Sequence, residues 1–343
     1  MKFILRDEAR TTERRTPITP DDAKQFLAAG YDLSVERSAK RIFTDAEYAA
    51  AGCILIDAQS WQNAPADTTI LGLKELPETP AKLRTPFIHF AHIFKDQTGW
   101  KDELARFTDG GGCLYDLEYL TINNRRTAAF GYWAGWMGAA LAAWRQLAAG
   151  QNKTGPEVGV SSFDDRAQVE TILRDLSSHN RTAVVIGAKG RSGAGATEAL
   201  TLAGYKVTEW DIAETKNLDR AALLTHDLLV NCVLMTGPGL QLLTKADLGS
   251  GNLSMISDVS CDPFSDYNPL PIYDAPTAWD APFIDLGNGV ELTAIDNLPS
   301  LLPREASVDF SSQLLKSLLS YPDGPEWQAA ANTFTTGQTR ADA

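Results

Sequence analysis

The first ~125 residues alternate short apolar runs with amphipathic segments, a pattern typical of a parallel sheet with crossover helices. Several runs favour β-strands, because they are rich in β-branched and aromatic residues; they are KFILRDE, YDLSVE, CILID, TTILGLKEL, PFIHFAH and CLYDLEYL. Between some of them, TPDDAKQFLAAG, TDAEYAAAG and WKDELARFTDGG predict helices. The first of these begins with a Thr-Pro cap and ends at Gly30, which marks both of its boundaries.

A second alternating region starts near residue 182, after the polar connection GQNKTGPEVGVSSFDD. DLLVNCVL and MISDVSC are short runs in which apolar residues are the majority, as expected for strands that are buried on both faces of a parallel sheet. The last ~40 residues, from LPSLLPREAS onward, have a helical pattern. The chain is therefore predicted to be an α/β protein.

One uncharged stretch, Thr127 to Trp144, is long enough to raise the question of a membrane span. Gly131 and Gly135 form a GxxxG pair within it, a spacing that permits close helix packing. Ala and Gly dominate the stretch, so an isolated span would insert poorly, and no second candidate follows. We expect a buried helix of a protein that does not cross a membrane.

Glycines in VVIGAKGRSGAGATEAL stand between a β-branched run and a helical pattern. Gly187, Gly190 and Gly193 would let a pyrophosphate approach the free N–H groups of the helix that starts with Arg191 and Ser192. The next predicted strand ends at Asp211, where a carboxylate can accept hydrogen bonds from a ribose and repel a 2′-phosphate. We therefore predict an NAD site; the alternative is a glycine-rich turn before a helix, with Asp211 solvated.

Length, net charge and cysteine spacing limit the kinds of molecule that this protein is expected to bind. With 343 residues the chain suits two domains. A net charge of −13 argues against nucleic acid as the main partner. The four cysteines are far apart without a CxxC pair, so we expect no metal site, free thiols and a cytoplasmic location. The start lacks an apolar run of the length that a secretory signal needs.

The first half also carries charged residues that could act in a site, several of them near the ends of predicted strands; they are Arg10, Glu13, Arg14, Arg15, Lys74, His92, Lys95, Glu118, Arg125 and Arg126. Arginines suit the capture of carboxylates, and a desolvated lysine or a histidine suits proton transfer. Each has an alternative interpretation as a solvated surface charge. His89 and His92 would face opposite sides of an extended strand, so only one of them could point into a site.

A family resemblance extends over nearly the whole chain. The segments ERRTPITP, LGLKELPE, FAHIFKDQTGW, LYDLEYL, NRRTAAFGYWAG, IGAKGRSGAGA, WDIAET and LPSLLPREAS occur in this order. In this respect the sequence resembles the NAD-dependent, lysine-forming saccharopine dehydrogenases. More remotely, it is similar to alanine dehydrogenase and to the NAD-binding subunit of transhydrogenase.

The resemblance implies a fold and a reaction. The expected fold has two Rossmann-like, doubly wound parallel-sheet domains that flank a cleft. Residues 1–128 and 305–343 would form the substrate domain, and residues 129–304 the NAD-binding domain. The expected reaction converts saccharopine, NAD and water reversibly into lysine, 2-oxoglutarate and NADH, in lysine metabolism. The chain would then act as a cytoplasmic enzyme, more readily as a monomer than as an oligomer.

The resemblance also implies roles for individual residues. Lys74 and His92 match the acid–base pair, and Glu13 and Glu118 match the glutamates that tune it. Arg15 and Arg126 are expected to hold substrate carboxylates, with Lys95 nearby. Ser192 stands where many family members have a cysteine, and Arg10 replaces a lysine. A related opine or amino-acid dehydrogenase with another amine partner, and a non-catalytic NAD sensor, remain the alternatives.

Overall fold

The computed structural model describes residues 1–95, 98–235, 237 and 239–341. These form two compact units, Met1–Ala129 with Pro303–Ala343, and Phe130–Leu302. No helix among the described residues has the length and apolarity needed to cross a membrane.

The N-terminal part of the first unit contains eight strands, β1 (Lys2–Leu5), β2 (Asp32–Glu36), β3 (Ile54–Ile56), β4 (Thr68–Leu71), β5 (Pro86–His89), β6 (Cys113–Asp116), β7 (Thr121–Ile122) and β8 (Arg125–Arg126). Its three α-helices are α1 (Pro20–Ala28), α2 (Asp45–Ala50) and α3 (Trp100–Gly110). The main sheet has the order β3-β2-β1-β4-β5-β6, and every pairing in it is parallel. The predicted strands are thus confirmed, although most are shorter than their apolar runs.

The second unit contains helices α4 (Gly131–Gly150), α5 (Arg166–Leu176), α6 (Arg191–Leu202), α7 (Ile212–Thr215) and α8 (Arg220–Leu223). Its strands are β9 (Thr182–Ile186), β10 (Lys206–Trp210), β11 (Leu228–Asn231), β12 (Met255–Asp258), β13 (Ile284–Asp285) and β14 (Glu291–Thr293). The sheet order is β10-β9-β11-β12-β14-β13, parallel except for the antiparallel edge strand β13. β11 and β12 are buried throughout, as their apolar sequences predict.

After the second unit the chain continues in α9 (Pro303–Leu318) and α10 (Pro325–Ala341), which belong to the first unit. Thr16 and Thr19 donate their main-chain N–H groups to the hydroxyls of Ser307 and Ser311 on α9, each at 2.9 Å. The ring of Phe334 on α10 packs edge-on against Phe107 of α3. These contacts make the two C-terminal helices part of the core around the first sheet.

Local sequence explains where α1 and α4 lie. Thr19 caps α1 by accepting from the N–H of Asp22, Pro20 takes the first helical position, and Gly30 follows the helix at φ 91°. α4 contains the uncharged Ala/Gly stretch and buries most of its residues. The prediction of a buried helix is confirmed, with the helix beginning at Gly131 rather than at Thr127.

Candidate active site

Six of the predicted site residues follow strands that lie side by side in the first sheet. Glu13 and Arg15 come after β1, Lys74 after β4, and the group at 92–95 after β5. Glu118 comes two residues after the end of β6. Because parallel strands put their carboxyl ends on one edge of the sheet, all these segments leave from the same edge.

The segment that carries Lys74 is fixed through its main chain. The carboxylate of Glu8 accepts from the N–H groups of Leu73 and Lys74 at 2.7 and 3.0 Å. The Arg6 guanidinium donates to the Lys74 carbonyl and forms an ion pair of 3.0 Å with Glu8. Both side chains of this ion pair are buried. The peptide groups on either side of Lys74 are therefore held by one buried pair of charges.

Burial and charge act against each other at Glu8. Burial raises the pKa of this carboxyl, while the Arg6 charge and the two N–H groups oppose the rise. The chain approaches Arg6 closely at Gly72, where an added Cβ would lie 2.4 Å from Arg6 Nε. Gly72 is thus needed for the strand end to pass over the guanidinium.

Glu13 and Arg15 form a second buried pair at the same edge. The Arg15 guanidinium donates twice, from Nε to Oε1 at 2.9 Å and from Nη2 to Oε2 at 2.7 Å. Burial by itself would raise the pKa of Glu13, but the charges of Arg15 and Lys74 outweigh it and the pKa falls to about 2. Glu13 is therefore an anion within electrostatic reach of Lys74.

His92, Lys95 and Glu118 form one cluster. Glu118 accepts from Lys95 Nζ at 2.6 Å through Oε1, and its Oε2 lies 3.8 Å from His92 Nδ1. The ring of Phe90 stacks beside the imidazole at a centroid distance of 6.2 Å. The His92 side chain is half-exposed, so the imidazole is open to a reactant while Glu118 lies on one side of it.

The sequence predicts that His89 and His92 lie on one extended strand, and this prediction is wrong. β5 ends at His89, and His92 adopts φ 55° in the loop that follows. His89 is buried inside the sheet, and neither of its ring nitrogens has a hydrogen-bond partner within the described part of the chain. β4 is likewise shorter than predicted. It ends at Leu71, so Lys74 lies three residues beyond the strand.

Arg126 lies on a small hairpin rather than at the edge of the main sheet. It is the last residue of β8 and pairs with Thr121 of β7 across a turn in which Asn123 and Asn124 both have positive φ. Arg126 is exposed. Within the described part of the chain, Arg126 forms neither a hydrogen bond nor an ion pair with Glu118.

In the second unit, the glycine loop joins β9 to α6. Gly187 has φ 78°, and Gly190 occupies the N-cap position of α6 without a side-chain cap. A Cβ on Gly193 would lie 2.2 Å from the Gly187 carbonyl oxygen. The first N–H groups of α6, those of Arg191, Ser192 and Gly193, are therefore at an open helix N-terminus that can accept an anion.

Asp211 lies directly after β10, beside this loop. Its carboxylate accepts from the N–H groups of Lys189 at 3.0 Å and Ile212 at 2.8 Å. These hydrogen bonds lower the pKa of Asp211. Asp211 also lines a cavity of about 400 Å³ with Gly187, Val233 and Leu240. This volume lies in the range of small-molecule pockets, so the residues fit a nucleotide with phosphates at the helix and a ribose at the carboxylate.

Three residues of structural importance to these sites were not predicted. Arg6 and Glu8 hold the Lys74 segment, and Asp116 ends β6 directly before the Glu118 segment. Each is a charged residue within or next to an apolar run, a signal that could have found them. Gly135 of α4 was predicted to pack closely, but its partner was not: an added Cβ would lie 1.7 Å from the carbonyl oxygen of Ser192.

Comparison with known proteins supports the fold. Residues 4–137 match the family model of the alanine dehydrogenase/PNT N-terminal domain. A solved L-alanine dehydrogenase has a TM-score of 0.73 at 18% identity, covering 98% of this chain and 94% of its own. A transhydrogenase from Sinorhizobium meliloti has a TM-score of 0.68 at 14% identity, covering 94% and 95%. At these identities the two structures indicate the fold alone.

Two curated relatives are far more similar in sequence. Saccharopine dehydrogenase [NAD(+), L-lysine-forming] of Neurospora crassa is 39% identical, covering 96% of this chain and 94% of the relative. The protein of the same name from Yarrowia lipolytica is also 39% identical, covering 97% and 96%. The chain therefore belongs to the NAD-dependent, L-lysine-forming saccharopine dehydrogenase family.

Proposed function

We propose that this protein catalyses the reversible conversion of saccharopine, NAD and water into L-lysine, 2-oxoglutarate and NADH. The observation that carries the proposal is that Lys74 and His92 follow neighbouring strands of one sheet, each with a glutamate nearby. This arrangement occurs in a chain that is 39% identical over nearly its whole length to relatives of that name. The second unit has a site that fits NAD.

In the proposed cofactor site, the N-terminus of α6 holds the pyrophosphate and Asp211 binds the adenosine ribose. Two main-chain N–H groups lower the pKa of Asp211, which favours its ionised form further. A 2′-phosphate placed there would be repelled, which favours NAD over NADP. When bound, NAD supplies the acceptor for the hydride that leaves the carbon of the C–N bond.

We assign the proton transfers to Lys74 and His92. The lone pair of a secondary amine must be free before its neighbouring carbon loses hydride, so a base removes the amine proton; Lys74 Nζ has this role. Water then adds to the carbon of the C=N bond, and the carbinolamine breaks its C–N bond to release lysine. His92 accepts the proton from water and returns one to the leaving nitrogen.

The neighbouring charges fit these roles. Glu13 and Arg15 contribute opposite charges near Lys74, and Glu118 lies beside the Lys95 ammonium and the His92 imidazole. Arg126 is exposed and is proposed to bind a substrate carboxylate. Arg15 is proposed for a second carboxylate, although its Nε and Nη2 already donate to Glu13. Substrate would then have to bind Arg15 beside Glu13 or displace it.

The decisive experiment follows NADH oxidation with 2-oxoglutarate and lysine as co-substrates. We expect turnover that depends on lysine and forms saccharopine. Turnover with another amino acid or with ammonia, and none with lysine, would show that the enzyme uses a different amine substrate. Tight NADH binding without turnover on any amine would indicate an NAD sensor and contradict the proposal.

A double variant tests the assigned residues. Lys74→Met with His92→Gln should lower kcat by roughly 10²- to 10⁴-fold, the range of general acid–base catalysis, while NADH binds with nearly unchanged affinity. The matched control is Lys82→Met with His179→Gln, which alters an exposed lysine and an exposed histidine away from the site. A near-normal rate in the first double variant would remove Lys74 and His92 from the mechanism.

We further propose a monomer in a reducing compartment such as the cytoplasm. The four cysteines are free thiols, which is consistent with this location. Light scattering of the purified protein tests the oligomeric state.

A further inference from the structure

Asp116 is a buried acid at the end of β6 that the proposed chemistry does not use. Its side chain is about 1% exposed, as is that of His89, its register partner on β5. In a parallel pair, register partners project from the same face of the sheet. Two polar side chains therefore lie next to each other in the part of the sheet that also carries the buried Phe87 and Leu114.

The Asp116 carboxylate is an acceptor for main-chain groups from two loops. Its Oδ1 accepts from the N–H of Glu118 at 2.9 Å. Main-chain hydrogen bonding from Ala91 and His92 also lowers the pKa of this carboxyl. His92 has φ 55°, a conformation that a non-glycine residue keeps only when its surroundings fix it. One side chain thus joins the loop of His92 to the loop of Glu118.

The remaining polar atoms here are unsatisfied, which is unusual for buried groups. Asp116 Oδ2 makes no hydrogen bond of regular geometry, and the same holds for both ring nitrogens of His89. Burial raises the pKa of Asp116 to about 7, with the Glu118 charge adding to the rise and the N–H groups opposing it. An apolar residue of similar size would avoid this cost, but it could not accept hydrogen bonds from the main chain. The role of Asp116 therefore lies in the hydrogen bonding of its Oδ1 atom.

We propose that Asp116 is a positioning residue for the His92–Glu118 pair. By accepting from the main chain on both sides, it sets the separation between the imidazole and the Glu118 carboxylate without touching substrate. This role rests on the proposed function, since it concerns the geometry of the assigned acid–base residue. It differs from a structural role in one respect: its loss changes kcat more than it changes folding.

The test compares removal of the acceptor with its conservative replacement. Asp116→Ala removes it, whereas Asp116→Asn keeps an acceptor oxygen on a side chain of the same shape. Asp22 provides a matched control, because it is also a buried acid of the first unit. It accepts from Thr19 Oγ1 at 3.2 Å and from Gln25 at 3.1 Å, and it bonds the Ser311 hydroxyl on α9.

We expect Asp116→Ala to lower kcat on the order of 10²-fold, the cost of misplacing a catalytic group by about 1 Å, with little change in the KM for lysine. Asp116→Asn should recover most of the rate, and Asp22→Ala should lower Tm but leave kcat within a few-fold. Unchanged kcat in Asp116→Ala, an equal loss in Asp22→Ala, or no rescue by Asn would each overturn the role. If Asp116→Ala does not fold, Asp116→Ser, too short to span both loops, replaces it with the same expected loss.

An NMR measurement separates this role from the proposed function. The Hε1 resonance of His92 is assigned by its absence in His92→Gln, since the chain has only four histidines. It should shift or broaden in Asp116→Ala and stay in place in Asp22→Ala. If the wild-type protein fails to turn over lysine while this resonance responds as expected, the function is wrong and the positioning stands. An unresponsive resonance contradicts the positioning whatever the activity.

Discussion

The Glu13–Arg15 pair allows a stability prediction with a magnitude that follows from the structure. Both side chains are almost fully buried, and the pKa of Glu13 falls from 4.5 to about 2 on folding. One pKa unit corresponds to about 1.4 kcal/mol, so ionised Glu13 contributes about 3 kcal/mol at neutral pH relative to its protonated form. Glu13→Gln imitates the protonated form and should lower the free energy of unfolding by that amount.

The sign of the pH dependence follows from the depressed pKa. The contribution is complete above about pH 4.5, where the unfolded chain is also ionised, and it is lost as the pH falls towards 2. The difference between the wild-type protein and Glu13→Gln should therefore shrink from about 3 kcal/mol at pH 7 to about 2 kcal/mol at pH 3.5.

Urea unfolding followed by circular dichroism at pH 7, 5 and 3.5 measures this difference. Glu78→Gln serves as the control, because Glu78 is exposed, and it should change the unfolding free energy by less than about 0.5 kcal/mol at each pH. A loss below about 1 kcal/mol in Glu13→Gln at pH 7, or a loss of the same size at all three pH values, would refute the assignment of a buried, ionised pair.

Further predictions concern the second unit. Asp211→Ala should weaken NAD binding and relax the discrimination against NADP, seen in the ratio of kcat/KM for the two cofactors; an unchanged ratio would contradict its role. Gly193→Ala should weaken NADH binding in a fluorescence titration more than Gly190→Ala, since the added Cβ lies 2.2 Å from the Gly187 carbonyl oxygen in the first case and 3.3 Å in the second. Gly135→Ala should lower the Tm of the protein because its Cβ would lie 1.7 Å from the Ser192 carbonyl oxygen; an unchanged Tm would show that α4 and α6 can separate at no cost.

The regular elements were predictable because their signals are local. A Thr-Pro cap begins α1, and short runs rich in apolar residues mark the buried strands β11 and β12. The glycine loop was found by its position between strand and helix. The family resemblance is confirmed by relatives that cover nearly the whole chain, whereas the roles of the individual site residues stay predictions.

Strand ends were less predictable, because residues distant in sequence determine them. TTILGLKEL and PFIHFAH continue to favour a strand beyond Leu71 and His89, where the two strands end. In each case a carboxylate takes over main-chain N–H groups, Glu8 for the Lys74 segment and Asp116 for the His92 segment. Nothing within either segment specifies these partners, so the local pattern extends the strand too far.

The same partners explain how loops can hold reactive groups in place. Main-chain N–H groups that leave a sheet have no ladder partner, and each must find another acceptor or water. Water would leave the loop free to move. Glu8 lies just past the end of β1, and Asp116 is the last residue of β6. Because both acceptors are attached to the rigid sheet, they restrict the movement of the Lys74 and His92 segments. Burying these two acids raises the pKa of each, and hydrogen bonds from the main chain offset part of the free energy that this burial costs. Because the two acids restrict these segments, we expect substitutions at Glu8 and Asp116 to affect the rate of the proposed reaction more than substitutions at exposed acids nearer to the substrate.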